Sequence, residues 1–160
     1  MRITGWRLVV GRWRESAFSG DGARVTGGRW NSKGTSVVYL SGSLALAALE
    51  LLTHLDHQQA LAQHYAIPVV FGESLIAVVH ERSVPTGFPG PETIPATQRV
   101  GDAWVRSGTS SLLRVPSAVI SQEFNYLFNP AHPDAQSVAI GDAKPFSYDR
   151  RLLEGGGAEV

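Results

Sequence analysis

The chain contains no cysteine, which excludes a disulfide framework and any thiolate metal site. That absence fits a reducing compartment without requiring one. No stretch reaches the roughly 18 consecutive apolar residues that a membrane-spanning helix needs, so no membrane contact is expected. The first residues, MRITGWRLVVGRWR, set arginines on both sides of a short apolar run and offer no small-residue cleavage site. A secretory signal is therefore not expected, and a cytoplasmic protein is. Walker-type and GxGxxG glycine loops, zinc-ligand spacings, heptads and internal repeats are also missing. Without a GxSxG turn, Ser117 with His132 and an aspartate makes an unsupported hydrolase triad. Net charge is lacking too, since 14 Lys and Arg balance 14 Asp and Glu.

The charge that is present is unevenly placed. Residues 1–33 carry seven basic side chains against Glu15 and Asp21, and the remainder holds the compensating acid. A basic N-terminal third could face nucleic acid or a small phosphate-bearing ligand. Nucleic-acid binders are usually basic overall, so the small ligand is favoured and no direct nucleic-acid contact is expected. With 160 residues, 43 % of them hydrophobic and 18 % charged, the chain suits one ordinary folded core.

Along the chain, residues 3–10 read as a first strand and the glycine-rich residues 11–28 as a long binding loop. Residues 36–41 read as a strand, followed by one helix over 43–64 that Ser41 or Ser43 can cap. Two β-rich runs occupy 66–80 on either side of Gly72, with Pro68 marking the first as an edge. The proline- and glycine-rich residues 83–97 form a loop. A short helix around Arg99–Ser107 follows, with Val100, Trp104 and Val105 as its buried positions. Then come a strand at Leu112–Val115, turns around FNYLF, and two short strands at 136–141 and 145–149. The tail, 154–160, reads as disordered, leaving one domain over 1–153.

The chemistry concentrates in Gly27–Leu55. Two glycines let the backbone at Arg29 approach a ligand, and the guanidinium fork suits phosphate oxygens. Tyr39 points away from Val38 and Leu40 by the period of two, as either a half-buried structural ring or a stacking surface. Leu44, Ala48, Leu51, Leu52 and Leu55 share one helix face, while Glu50 falls beside Leu46, Ala47 and His54. A carboxylate there is either solvent-facing or held at a cleft, and the scarcity of neighbouring charge favours the cleft. Arg7 is either a solvated strand residue or a second phosphate contact. Trp30 is core or pocket wall. His54, His57 and His64 read as surface or helix-end histidines, and no metal is expected.

Several pieces together resemble the RES-domain family, the toxins of Xre–RES toxin–antitoxin pairs. They are WRL at Trp6–Leu8, AFSGDGARVTGGRWNSKGTSVVYLS at Ala17–Ser41 and LALAALELLTHL at Leu44–Leu55. GDAWVRSGTSSLLRVPSAVI, EFNYLFNPAHPD and FSYDRRL at Phe146–Leu152 complete the match. The arginine, glutamate and serine that name the family map to Arg29, Glu50 and Ser117. The resemblance implies an α+β fold similar to ADP-ribosyltransferases, a single compact domain with a split mixed β-sheet and flanking helices around an NAD cleft. It implies cleavage of the nicotinamide–ribose bond by hydrolysis or phosphorolysis, or transfer of ADP-ribose to a protein. It also implies growth arrest and a hetero-oligomer with a DNA-binding Xre-family antitoxin that blocks the pocket.

Residue chemistry agrees with that expectation. Breaking a nicotinamide glycosidic bond develops positive charge near ribose C1, which a carboxylate stabilises, and Glu50 is the candidate. Tyr39 suits the nicotinamide ring and Arg29 the diphosphate, while Ser117 and Asn125 would orient the ligand by hydrogen bonds. A non-catalytic nucleotide- or partner-binding module is the competing reading.

Overall fold

Apolar residues alternating with the period of a strand build one mixed sheet in the computed structural model, which describes residues 1–154. Its strands are β1 (Arg2–Val10), β2 (Val38–Ser41), β3 (His64–Gly72), β4 (Ile76–Val78), β5 (Leu112–Pro116), β6 (Phe124–Phe128), β7 (Ala139–Ile140) and β8 (Lys144–Phe146). The order is β4-β5-β6-β2-β1-β3-β7, with β8 also on β3. Among the described residues, only β4 and β5 run parallel. Pairing is full within two groups, over nine residue pairs between β1 and β3 and five between β5 and β6. Between the groups, β1 and β2 meet at the single rung Trp6↔Ser41. The chain is thus one α+β domain whose sheet is split about that rung, as expected.

The two faces of the sheet bury different partners. Val38, Leu40, Leu112, Tyr126 and Phe128 form one apolar face with Val69 and Phe71. On the other, Leu113, Val115, Leu127 and Tyr39 pack with Trp30 and Trp104. That second face also receives α2 (Leu44–Leu52), through Leu8, Ala47, Ala66 and Tyr148. Complete burial of one such leucine contributes roughly 1.5–3 kcal/mol, so these faces fix which way each strand looks. Tyr148 adds a hydrogen bond from its hydroxyl to the carbonyl of Ala48, 2.7 Å.

Four segments depart from the sequence expectations. The single helix over 43–64 is two helices, α2 and α3 (His57–Leu61). Asp56 and Gln59 cap α3 reciprocally, and that box outweighs the helix propensity of the intervening residues. The chain then enters β3 at His64, which is therefore fully buried instead of lying at the surface or a helix end. The loop over 11–28 contains α1 (Asp21–Thr26), too short to show a helical period. Strand β3 is interior, not an edge, and Pro68 is accommodated between the stretches paired with β8 and β7. No ladder hydrogen bond from its nitrogen is needed there.

The last helix, α4 (Ile94–Ser107), starts earlier than expected because Pro95 sits in its first turn. Its buried positions are Thr97, Gly101 and Trp104, with Val100 and Val105 only partly covered. Gly101 lies here because Trp30 leaves no room, and a Cβ added to it would stand 1.7 Å from the Trp30 carbonyl oxygen. The tail expected at 154–160 falls, from 155 onward, outside the described residues.

Gly101→Ala should therefore force α4 off the loop, lowering unfolding free energy in urea by about 1–3 kcal/mol or more. Gly22→Ala, inside α1 with open space around the new Cβ, should leave stability unchanged or raise it by up to about 1 kcal/mol.

Candidate active site

Glu50 sits on the flank of α2 that carries Leu46 and Ala47, the most buried residues of that helix. The carboxylate consequently points at the sheet, and the residue is half-buried. Its Oε1 accepts from the Ser117 hydroxyl at 2.8 Å and from Asn125 Nδ2 at 2.5 Å. Ser117 follows the end of β5, and its Oγ also accepts from the backbone nitrogens of Val119 and Ile120, both at 3.0 Å. Asn125 lies opposite Ser41 on β2, next to the rung where the split sheet is joined. An ionised carboxylate can only accept, which places the Asn125 amino group toward it. The other amide atom, Oδ1, is left buried with no partner.

Tyr39 occupies the same face of the sheet two residues away, opposite Leu127, a step of about 7 Å along the strand. Its hydroxyl donates to Asn31 Oδ1 at 2.6 Å and accepts from the Trp30 nitrogen at 3.0 Å. Tyr39 therefore holds the turn that carries Arg29. The glycines of that turn have distinct reasons: Gly27 adopts φ 72°, while a Cβ on Gly28 would stand 2.6 Å from the Tyr39 hydroxyl. Burial holds the Tyr39 phenol well above its ordinary value of 10.0.

Arg29 donates from Nη1 to the Pro89 carbonyl at 2.8 Å and lies 5.7 Å from the centre of the Phe88 ring. Phe88 and Pro89 line a cavity of about 320 Å³ that Ser117 also lines. The cavity is thus bordered by a residue bonded to Glu50 and by one bonded to Arg29, though neither Glu50 nor Arg29 itself lines it. Helix α4 braces the Arg29 turn from behind. Thr97 donates to the Arg29 carbonyl, Gln98 Nε2 to that of Gly28 at 2.9 Å, and Asp102 accepts from the Ser32 nitrogen at 3.0 Å. Sequence reasoning missed these supports and the Phe88–Pro89 wall, since no spacing relates residues so far apart.

Arg7 is not brought to this cluster. Gly5, two residues earlier, faces Phe71 and Leu40, so Arg7 lies on the sheet face opposite Tyr39 and Asn125. Its Nε and Nη1 donate to the carbonyls of Ala17 at 3.2 Å and Tyr39 at 3.3 Å. Burial pulls its guanidinium down to about 10, so it remains charged at neutral pH. His132 is likewise elsewhere, bonded through Nε2 to the Gly108 carbonyl at 2.9 Å. Ser117 is committed to Glu50, so these residues form no hydrolase triad.

Tyr39→Phe should destabilise the fold by about 1–3 kcal/mol, because the Trp30 nitrogen and Asn31 Oδ1 lose a buried partner. The raised phenol also sets a pH dependence. The folded state holds this proton more tightly than the unfolded chain, so the stabilisation is complete below pH 10 and declines as pH rises above it. Burial of Tyr148, raised to about 12, adds in the same direction. Urea unfolding between pH 8 and 11 should show this decline, and a smaller one in Tyr39→Phe.

Comparison with known proteins identifies the family and the fold. A family model described as the RES domain matches residues 4–149. The chain is similar to the Prs ADP-ribosylating toxin of Sphingobium sp. (strain YBL2), 32 % identical over 96 % of this chain and 98 % of that protein. It is also similar to Toxin Res of Yersinia enterocolitica, 33 % identical over 92 % and 97 %. Toxin Res of Pseudomonas putida is 35 % identical over 88 % and 98 %. Among solved structures, a chain of the M. tuberculosis MbcT–MbcA toxin–antitoxin complex superposes with a TM-score of 0.72. That match covers 96 % of this chain and 88 % of the other at 15 % identity, a likeness of fold. The chain belongs to the RES-domain family of toxins.

Proposed function

We propose that the protein is the toxin of a toxin–antitoxin pair and consumes NAD by breaking the nicotinamide–ribose bond, through hydrolysis or phosphorolysis. The observation that carries this reading is the Glu50 carboxylate, gripped on one oxygen by Ser117 and Asn125 beside a cavity. Two charge-assisted donors, worth about 1.5–3 kcal/mol each, fix the orientation of the carboxylate. Among the described residues its second oxygen, Oε2, takes no hydrogen bond, so it can face the ribose. As the C–N bond stretches, positive charge grows on the ribose and the nearby carboxylate stabilises it. The electron pair of that bond leaves with nicotinamide, which becomes neutral and needs no strong general acid.

The buried, unpartnered Oδ1 of Asn125 gives a ribose hydroxyl an acceptor that the free protein does not satisfy. Arg29 contacts the diphosphate beside the cavity, exchanging its bond to the Pro89 carbonyl for phosphate oxygens. Tyr39 contributes its hydroxyl to the Arg29 turn. No metal takes part in this scheme.

A second reading, transfer of ADP-ribose to a protein, is favoured by the name of the Sphingobium relative, an ADP-ribosylating toxin. It uses the same Glu50, with a protein side chain in place of water or phosphate. The partner would be a Xre-family antitoxin covering the cleft, consistent with the toxin–antitoxin complex whose fold this chain shares. NAD as the substrate places this action in the cytoplasm.

Glu50→Gln keeps the shape of the side chain and removes its charge. It should cut nicotinamide release from NAD at least a hundredfold, about 2.7 kcal/mol of transition-state stabilisation, with an unchanged folded spectrum. Full turnover in that variant would remove Glu50 from the mechanism. Mass analysis of the product with and without phosphate, and of added protein acceptors, separates the three reactions.

A further inference from the structure

Arg114 does nothing in the scheme above, yet it lines the same cavity as Ser117. It projects from β5 opposite Tyr126, on the face away from Asn125. Its guanidinium lies 4.6 Å from the centre of the Phe124 ring. A guanidinium laid on a ring keeps its in-plane N–H groups free for an anion. Among the described residues Arg114 enters no ion pair, and its buried Nε has no hydrogen-bond partner. The contrast with Arg7 is informative, since that arginine spends Nε on the Ala17 carbonyl. A donor buried without a partner costs free energy that a ligand acceptor can recover.

The surroundings define the ligand. Val78, Val84, Phe88, Pro116 and Phe124 supply an apolar lining, and Ser121 adds a hydroxyl. Glu81 is the other charged residue of the lining; it is exposed and makes no ion pair with Arg114. At about 320 Å³ the cavity is at the small end of ligand pockets. We propose that this cavity is a site for a small organic oxyanion, a phosphate or carboxylate group on an apolar body, held by Arg114. Arg114 is a separate contact from Arg29 within the cavity used in the proposed function, and its affinity for an oxyanion does not depend on NAD being the substrate.

The test is a titration of the isotopically labelled full chain, followed by the backbone amide shifts in nuclear magnetic resonance. Phenyl phosphate is expected to perturb Arg114, Ser121 and Phe124 and to bind at least tenfold more tightly than inorganic phosphate. Benzoate in a parallel titration separates a carboxylate preference from a phosphate one. Arg114→Gln should weaken phenyl phosphate at least tenfold, and Arg114→Lys, which keeps the charge but loses the planar fork, by an intermediate factor. Unchanged affinity in both Arg114 variants, or shifts confined to the Arg29 turn, would overturn the assignment and leave Arg114 as a cover for Phe124. No turnover is measured, so this result and that of Glu50→Gln stand separately.

Discussion

Everything in the site depends on one carboxylate bonded across a divided sheet. Helix α2 packs on β1 and β3, which form one half of the sheet. Ser117, just past the end of β5, and Asn125, on β6, hold Glu50 from the other half. Among the described residues, the rung Trp6↔Ser41 alone pairs the halves through the backbone. The Glu50 hydrogen bonds are thus a side-chain fastening at the place where backbone pairing is thinnest. The cavity that Ser117 lines is bordered by residues of β4, β5 and β6, away from that rung.

Arg29 meets a different constraint. Arg29 is only partly covered, and the turn that carries it is stiffened from the side of α4 and by Tyr39. Tyr39, Thr97, Gln98 and Asp102 do this through hydrogen bonds to residues 28–32. Gly101 lets α4 approach closely enough to make them. Tyr39 is consequently more than a flat ring beside a ligand. Its hydroxyl couples the strand facing Glu50 to the loop bearing Arg29, so the strand and the loop are positioned by one framework. Arg7 supports that framework from the opposite face, through the Tyr39 carbonyl.

Much of this was legible in the chain before folding. Periodicity placed β1, β2 and β5 within a residue or two and set Tyr39 opposite Val38 and Leu40, because strand alternation is a local property of the backbone. Helix position set Glu50 beside Leu46 and Ala47 but left it either solvent-facing or at a cleft, and only the scarcity of neighbouring charge favoured the cleft. The break between α2 and α3 was written in Asp56 and Gln59, yet it was outweighed in the reading by a long run of good helix formers. The location of His64 followed that error, since burial depends on the element to which a residue belongs. Arg7 was ambiguous because a lone cation in a strand looks the same whether it meets phosphate or carbonyl oxygens.

The sequence alone determined the residue types and their local directions: an acid on the inner flank of a helix, a ring turned to one strand face, an arginine after two glycines. Folding decided which distant groups these meet. The Ser117 and Asn125 grip on Glu50, the Tyr39 tie to Asn31 and the brace from α4 all join residues whose closeness arises from strand order and helix packing. Short-range spacing records backbone geometry, whereas such contacts depend on how the whole chain closes on itself, and no local pattern encodes that closure.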